Sequence, residues 1–168
     1  MDELLAERVA AVDALLDHGL TSVSDDALLS AARAVETARR RLETFDHPLV
    51  AELDRRSILA RELAPSADRF LAELWNCSPA EAKRRVRHAR DLGARQSLSG
   101  EKLPPLRPAL ATAREAGSVN GEHAELILAT LRGLPTALPV ETVAEAEEFL
   151  TGWAGRVSPT ALRPIAAR

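Results

Sequence analysis

Cysteine is nearly missing from this sequence. Cys77 stands alone, which excludes an internal disulfide and any zinc site built from several thiolates. Tyrosine is absent, and the aromatic side chains are only Phe45, Phe70, Trp75, Phe149 and Trp153, so leucine, alanine and valine must fill the interior. That composition suits closely packed helices. No apolar run approaches the roughly 20 residues that span a bilayer. The opening MDELLAERV has neither the basic start nor the apolar centre of a secretory signal. A cytoplasmic protein without membrane contact is therefore expected.

Catalytic motifs are also lacking. His18, His47, His88 and His123 are isolated, with no HxxxH, HExxH or CxxC spacing, and there is no glycine-rich phosphate loop or nucleophile elbow. Cys77, beside Trp75, reads as a small buried hydrophobe. No catalytic residue, metal ligand or cofactor is assigned to this segment.

What is present is helical periodicity. With 168 residues, 46% of them hydrophobic, the chain can bury one sizeable core. We expect one all-α, multi-helix domain over residues 1–168, with a long N-terminal helical hairpin. A first helix within 1–23 carries an apolar stripe of Leu4, Leu5, Val9, Val12, Leu15 and Leu16, and Gly19 is placed to end it. Ser24 is a candidate N-cap for a long helix to about Arg56, kinked or broken near Asp46 and His47 because Pro48 cannot donate its backbone hydrogen bond. A shorter helix from Ala67 to about Trp75 follows. Ser78 at N-cap, Pro79 at N1 and Glu81 at N3 then open another helix with a capping box. The two helices form a helix-turn-helix-like pair within 66–95, whose turn lacks glycine and leaves Asn76 to take any left-handed position. Residues 93–108, rich in Gly, Ser and Pro, are the expected connection, and 109–168 holds the C-terminal helices at about 109–116, 121–132 and 139–151 and from Ser158 onward. That last helix is capped late and the sequence stops inside it, as expected of a fragment of a longer protein. The openings SPAEA, NGEHA and SPTAL recur about forty residues apart. They share little beyond cap chemistry, so shared capping is preferred over a solenoid.

Charge supplies the local functional signal. Between Ser78 and Gln96 stand six basic and two acidic residues, a net +4 in a chain of net charge −3. Steps of 100° put Ala82, Val86, Ala89 and Gly93 on one side, to pack on the domain. Arg84, Arg87, His88 and Arg95 fall opposite, flanked by Lys83 and Arg90 on one side and Arg85 on the other. Lys83, Arg84, Arg85, Arg87, Arg90 and Arg95 are the candidate nucleic-acid-binding residues, attracting phosphates or reading guanine edges in the major groove of DNA. Ordinary surface ion pairs explain the same pattern, since Asp91 lies four residues from both Arg87 and Arg95.

Taken in order, AELDRR (51–56), SADRFLAELWNCSPAEAKRRVRHARDL (66–92), LPPLRPALATAREAGSVNGEHAELILATLRGLP (103–135) and VSPTALRPIAAR (157–168) resemble the actinobacterial domain of unknown function 222, or 13E12 repeat family. The resemblance covers the chain from about residue 24 onward. It departs from the family at Asn120-Gly121, where a Ser-Pro-like opening is common. The resemblance implies a helical region ahead of an HNH endonuclease module, which is absent here, and any divalent metal would belong to that missing module. The function expected is a non-catalytic DNA-engaging or targeting domain of an HNH-type endonuclease. The alternative is a helical interaction or homodimerisation module without nucleic-acid binding, using the long helix from 24 to 56 and the acidic one around Glu141, Glu145, Glu147 and Glu148.

Overall fold

The computed structural model describes residues 1–97 and 99–167, and the fold is all-α. The chain divides into two compact units, Met1–Val35 and Glu36–Arg168.

The first unit holds α1 (Asp2–Asp17) and the opening of α2 (Asp25–Glu43). Ser24 caps α2, its hydroxyl accepting from the Ala27 N–H at 3.3 Å. No residue of α1 is buried: the expected stripe forms, but Leu4, Leu5, Val9, Val12, Leu15 and Leu16 remain exposed.

In the second unit the long helix breaks where proline demands it. The end of α2 gives way at Thr44 and Phe45, and α3 (Asp46–Arg55) begins directly after. Pro48 thereby sits in the first turn of α3, where a missing N–H costs nothing. A single turn, α4 (Ile58–Arg61), leads to α5 (Ala67–Leu74) and α6 (Pro79–Leu92). Asn76, with φ of 49°, takes the left-handed position between α5 and α6. The stretch after α6 contains a short antiparallel hairpin, β1 (Arg95–Gln96) with β2 (Lys102–Leu103), which periodicity does not reveal. Then come α7 (Pro108–Glu115), α8 (Gly121–Gly133), α9 (Val140–Ala154) and α10 (Pro159–Ala166). Arg168, where the sequence stops inside the expected last helix, lies outside the described residues.

The three recurring openings are all caps. The side chains of Ser78, Asn120 and Ser158 accept from the backbone N–H of Glu81, His123 and Ala161 at 3.2, 2.9 and 3.3 Å. Only half of the expected capping box forms at α6, because the Glu81 carboxylate turns forward to Arg84.

Two apolar clusters make the core. Val50, Leu53, Ala67, Leu71, Val86 and Ala89 join α3, α5 and α6. Leu92 joins the other, built from α7 to α10 around Leu110, Ile127, Leu128, Leu150 and Leu162. Helix α6 therefore belongs to both and ties the halves of this unit together. Glu147 is also interior: its carboxylate accepts from the Leu110 N–H at 3.0 Å, satisfying the amino end of α7, and burial pushes its pKa up. It leaves the acidic surface anticipated on α9. Among the described residues no helix is long and apolar enough to cross a membrane.

Candidate nucleic-acid interface

Helix α6 exposes less than its wheel suggests. Ala82, Val86, Ala89 and Gly93 are buried as expected, but so are His88 and Leu92, so the covered arc is wider than the four small and apolar positions imply. Helices α3 and α5 pack on one side of it, and α8 supplies carboxylate and arginine partners on another.

Three of the six candidate side chains are spent on carboxylates of the same unit. Arg84 donates Nε and Nη2 to Glu81 at 2.9 and 2.6 Å. Arg85 donates the same pair of atoms to Asp46 at 2.6 and 2.7 Å, and its Cζ lies 3.6 Å from the Trp75 ring centroid. Arg87 donates Nη2 to both oxygens of Glu125, at 2.7 and 2.6 Å, and His88 Nε2 meets the same carboxylate at 3.0 Å. Arg84 and Arg87 do not project freely outward, and His88 is buried rather than presented.

The electrostatics agree with the geometry. The Arg84 guanidinium beside Glu81 holds that carboxyl below its ordinary range. Burial alone would raise Glu125, but the bonds from Arg87 and His88 outweigh it and the net direction is downward. Burial lowers the pKa of His88 against the pull of Glu125, and that of His47 falls to about 4 through burial, then through Arg114 and His88 nearby. Arg114, almost fully buried, donates Nη1 to the Val119 carbonyl at 2.8 Å and Nη2 to Glu43 at 2.7 Å.

The other three candidates are placed differently. Lys83 and Arg90 are exposed and form no ion pair among the described residues. Arg95, on β1, donates Nε to the Pro104 carbonyl at 2.9 Å and is likewise exposed. Arg90 and Arg95 line an open groove together with Lys102, a residue that the charge pattern of α6 alone did not single out. Lys83 lies seven residues before Arg90, on the same side of α6. The signal for Lys102 was its place as the second lysine of the chain, but only the hairpin, which pairs it with Gln96, brings it to the groove that Arg95 also lines.

Glycine shapes the neighbourhood in two places. A Cβ on Gly121 would come within 2.9 Å of Arg84 Nη1, so the departure from a Ser-Pro opening gives that guanidinium its room. Gly117, with φ of 75°, lies so close to α2 that a Cβ would meet Thr37 at 2.8 Å. Among the described residues no group of three or more His, Cys, Asp or Glu side chains is arranged to hold a metal.

Known proteins share the sequence of this region. A family model described as "Domain of unknown function (DUF222)" matches residues 29–168. One uncharacterized protein of Mycobacterium tuberculosis is 34% identical over 166 residues, covering 99% of this chain and 37% of that protein. A second from the same organism is 35% identical over 169 residues, covering 96% and 37%. An uncharacterized protein of Mycobacterium bovis is 30% identical over 159 residues, covering 95% and 35%. The chain thus spans less than two fifths of the length of these relatives. No solved structure matches.

Proposed function

This chain belongs to the DUF222 family, a domain of unknown function, and from that membership we propose that it is the non-catalytic, DNA-engaging part of an HNH-type endonuclease. The observation that carries the reading is a group of exposed cations that form no ion pair among the described residues: Arg90, Arg95 and Lys102 along one groove, which Arg55, Glu52, Asp54 and Glu115 also line, with Lys83, near Asp68, two turns away on the same side of α6. They replace the six-residue set read from sequence, because Arg84, Arg85 and Arg87 are held by Glu81, Asp46 and Glu125. Four such cations attract phosphates without reading bases. The relatives extend well beyond the matched region, which leaves room for a nuclease module. Any divalent metal belongs to that module.

The number of contacts can be measured. Each phosphate neutralised adds about 0.9 to the slope of log affinity against log salt, so four contacts lose about 150-fold in affinity between about 50 and 200 mM salt, and six lose roughly 2,000-fold. Replacing Arg90 and Arg95 together by alanine should cut the loss to about 12-fold. Salt-insensitive or absent binding to a labelled duplex refutes this reading.

One observation favours the interaction reading instead. The apolar residues of α1 are exposed, and Leu5, Val9, Val12 and Leu16 alternate in steps of four and three, the spacing of a seam between paired helices. A homodimer in sedimentation that dissociates when Leu5 and Val12 are changed to glutamate, combined with no duplex binding, would establish that function in place of the first.

A further inference from the structure

A second concavity, which shares only His47 with the groove, lies where the end of α2, the start of α3, α6 and α7 meet. It encloses about 310 Å³, at the lower edge of the range of ligand pockets. Its donors are His47, His88, Arg39, Arg84, Arg85 and Arg114, and its carboxylates are Glu43, Asp46 and Glu81. Four guanidinium groups face three carboxylates in the lining, and the fourth, Arg39, is held only by Glu36 at 3.5 Å outside it.

The carboxylates are already occupied. Glu43 accepts from Arg114, Asp46 from Arg85 through two bonds, and Glu81 from Arg84 through two bonds. A cation entering the cleft would have to displace an arginine. Donors, in contrast, are left over. Arg84 and Arg85 each bond through Nε and Nη2, so Nη1 of each makes no hydrogen bond among the described residues. Arg114 Nε is buried without a partner. His47 is only 6% exposed, and its ring nitrogens, like Nη1 of Arg84 and Arg85, make no ion pair or hydrogen bond to another described side chain and remain open to solvent in the cleft. Buried polar groups are normally satisfied, and one buried donor without a partner beside unused donors facing the same cleft suits an acceptor that is not part of the chain.

We propose that this cleft binds a phosphate-sized oxyanion, received by His47 and by the guanidinium N–H groups that the ion pairs leave unused. Burial is the main reason that His47 stays neutral, and Arg114 and His88 add a smaller positive contribution, opposed by Asp46, that an anion would also feel. An anion supplies negative charge and acceptor oxygens together. The groove cations Arg90, Arg95 and Lys102 do not line this cleft, but His47 lines both, so Arg39, which lines the cleft and not the groove, separates the proposal from DNA engagement along the groove.

The test follows the His47 ring resonances of the whole chain by NMR while inorganic phosphate is added at constant ionic strength, with chloride as control. Saturable shifts are expected for phosphate alone, with His47 taking up a proton at higher pH when phosphate is bound, because the anion favours the imidazolium over the neutral ring. The groups setting that response are Arg39 and Glu43 of α2, Asp46 of α3, Glu81, Arg84, Arg85 and His88 of α6, and Arg114 of α7. His47→Gln should weaken phosphate binding by about tenfold or more, and Arg39→Ala by a few-fold. Arg39 is well exposed and held only at 3.5 Å by Glu36, so its variant folds even if the His47 variant does not. A short oligonucleotide that shifts the same resonances at lower concentration than phosphate, with the shift weakened by Arg39→Ala, identifies a phosphodiester as the ligand of the cleft. A weaker response identifies a free phosphate or monoester, and either result upholds the site. Shifts that are linear to about 20 mM, identical in chloride or unchanged by Arg39→Ala overturn it.

Discussion

Arg85→Ala separates a structural arginine from a nucleic-acid contact. In the folded chain Arg85 makes two bonds to Asp46, whose side chain is only 12% exposed, and stacks on Trp75. Removing one partner of a buried pair costs about 3–5 kcal/mol, because the other charge is left desolvated. Arg85 is itself 31% exposed, so water screens part of this and about 2–3 kcal/mol is the better figure for the pair. Losing the stacked guanidinium adds about 0.5–1 kcal/mol. The total of about 3 kcal/mol should lower Tm by about 10 °C in a unit of this size. A double-mutant cycle with Asp46→Asn isolates the pair: the double variant should be less destabilised than the sum of the singles by about 1–2 kcal/mol. Thermal and urea unfolding measure all four proteins. If Arg85→Ala melts within about 1 °C of the parent, the Asp46 pair is not structural, and the original placement of Arg85 among phosphate-contacting residues regains its force.

Other expectations follow from the same geometry. His47 has a pKa lowered to about 4 in the folded chain, so the unfolded chain binds more protons below about 6.5. Stability should therefore fall between about pH 6.5 and 4, by about 2 kcal/mol at pH 5 from this residue, and His47→Gln should flatten that part of the urea-midpoint profile. A midpoint independent of pH across that window would contradict the burial of a neutral imidazole. Gly117→Ala must adopt a left-handed backbone and push against Thr37, and a loss of about 2 kcal/mol or more in urea unfolding is expected. By comparison, Gly121→Ala meets the tips of two flexible side chains, Arg84 at 2.9 Å and Glu43 at 3.4 Å, and its effect on stability should be smaller by at least about 1 kcal/mol.

What the sequence determined by itself was local. Helix class, the caps at Ser78, Asn120 and Ser158, the break before Pro48 and the left-handed Asn76 depend on residues within about four positions of one another, and capping, proline and backbone sterics act at that range. The covered side of α6 was legible for the same reason, through Ala82, Val86, Ala89 and Gly93. The two-residue strands of the hairpin are too short to show a period of two. Arg84 meets Glu81 three residues before it on the same helix, but where Arg85, Arg87 and Arg114 go was decided only by the tertiary structure. Asp46 precedes Arg85 by 39 residues, Glu125 follows Arg87 by 38 and Glu43 precedes Arg114 by 71, and no spacing rule links them. A guanidinium on a flexible stem takes whichever carboxylate the packed helices bring within reach. The fold alone therefore settles which cations pair inside the domain, which remain outside it, and that His47 and His88, isolated in the chain, line one cleft.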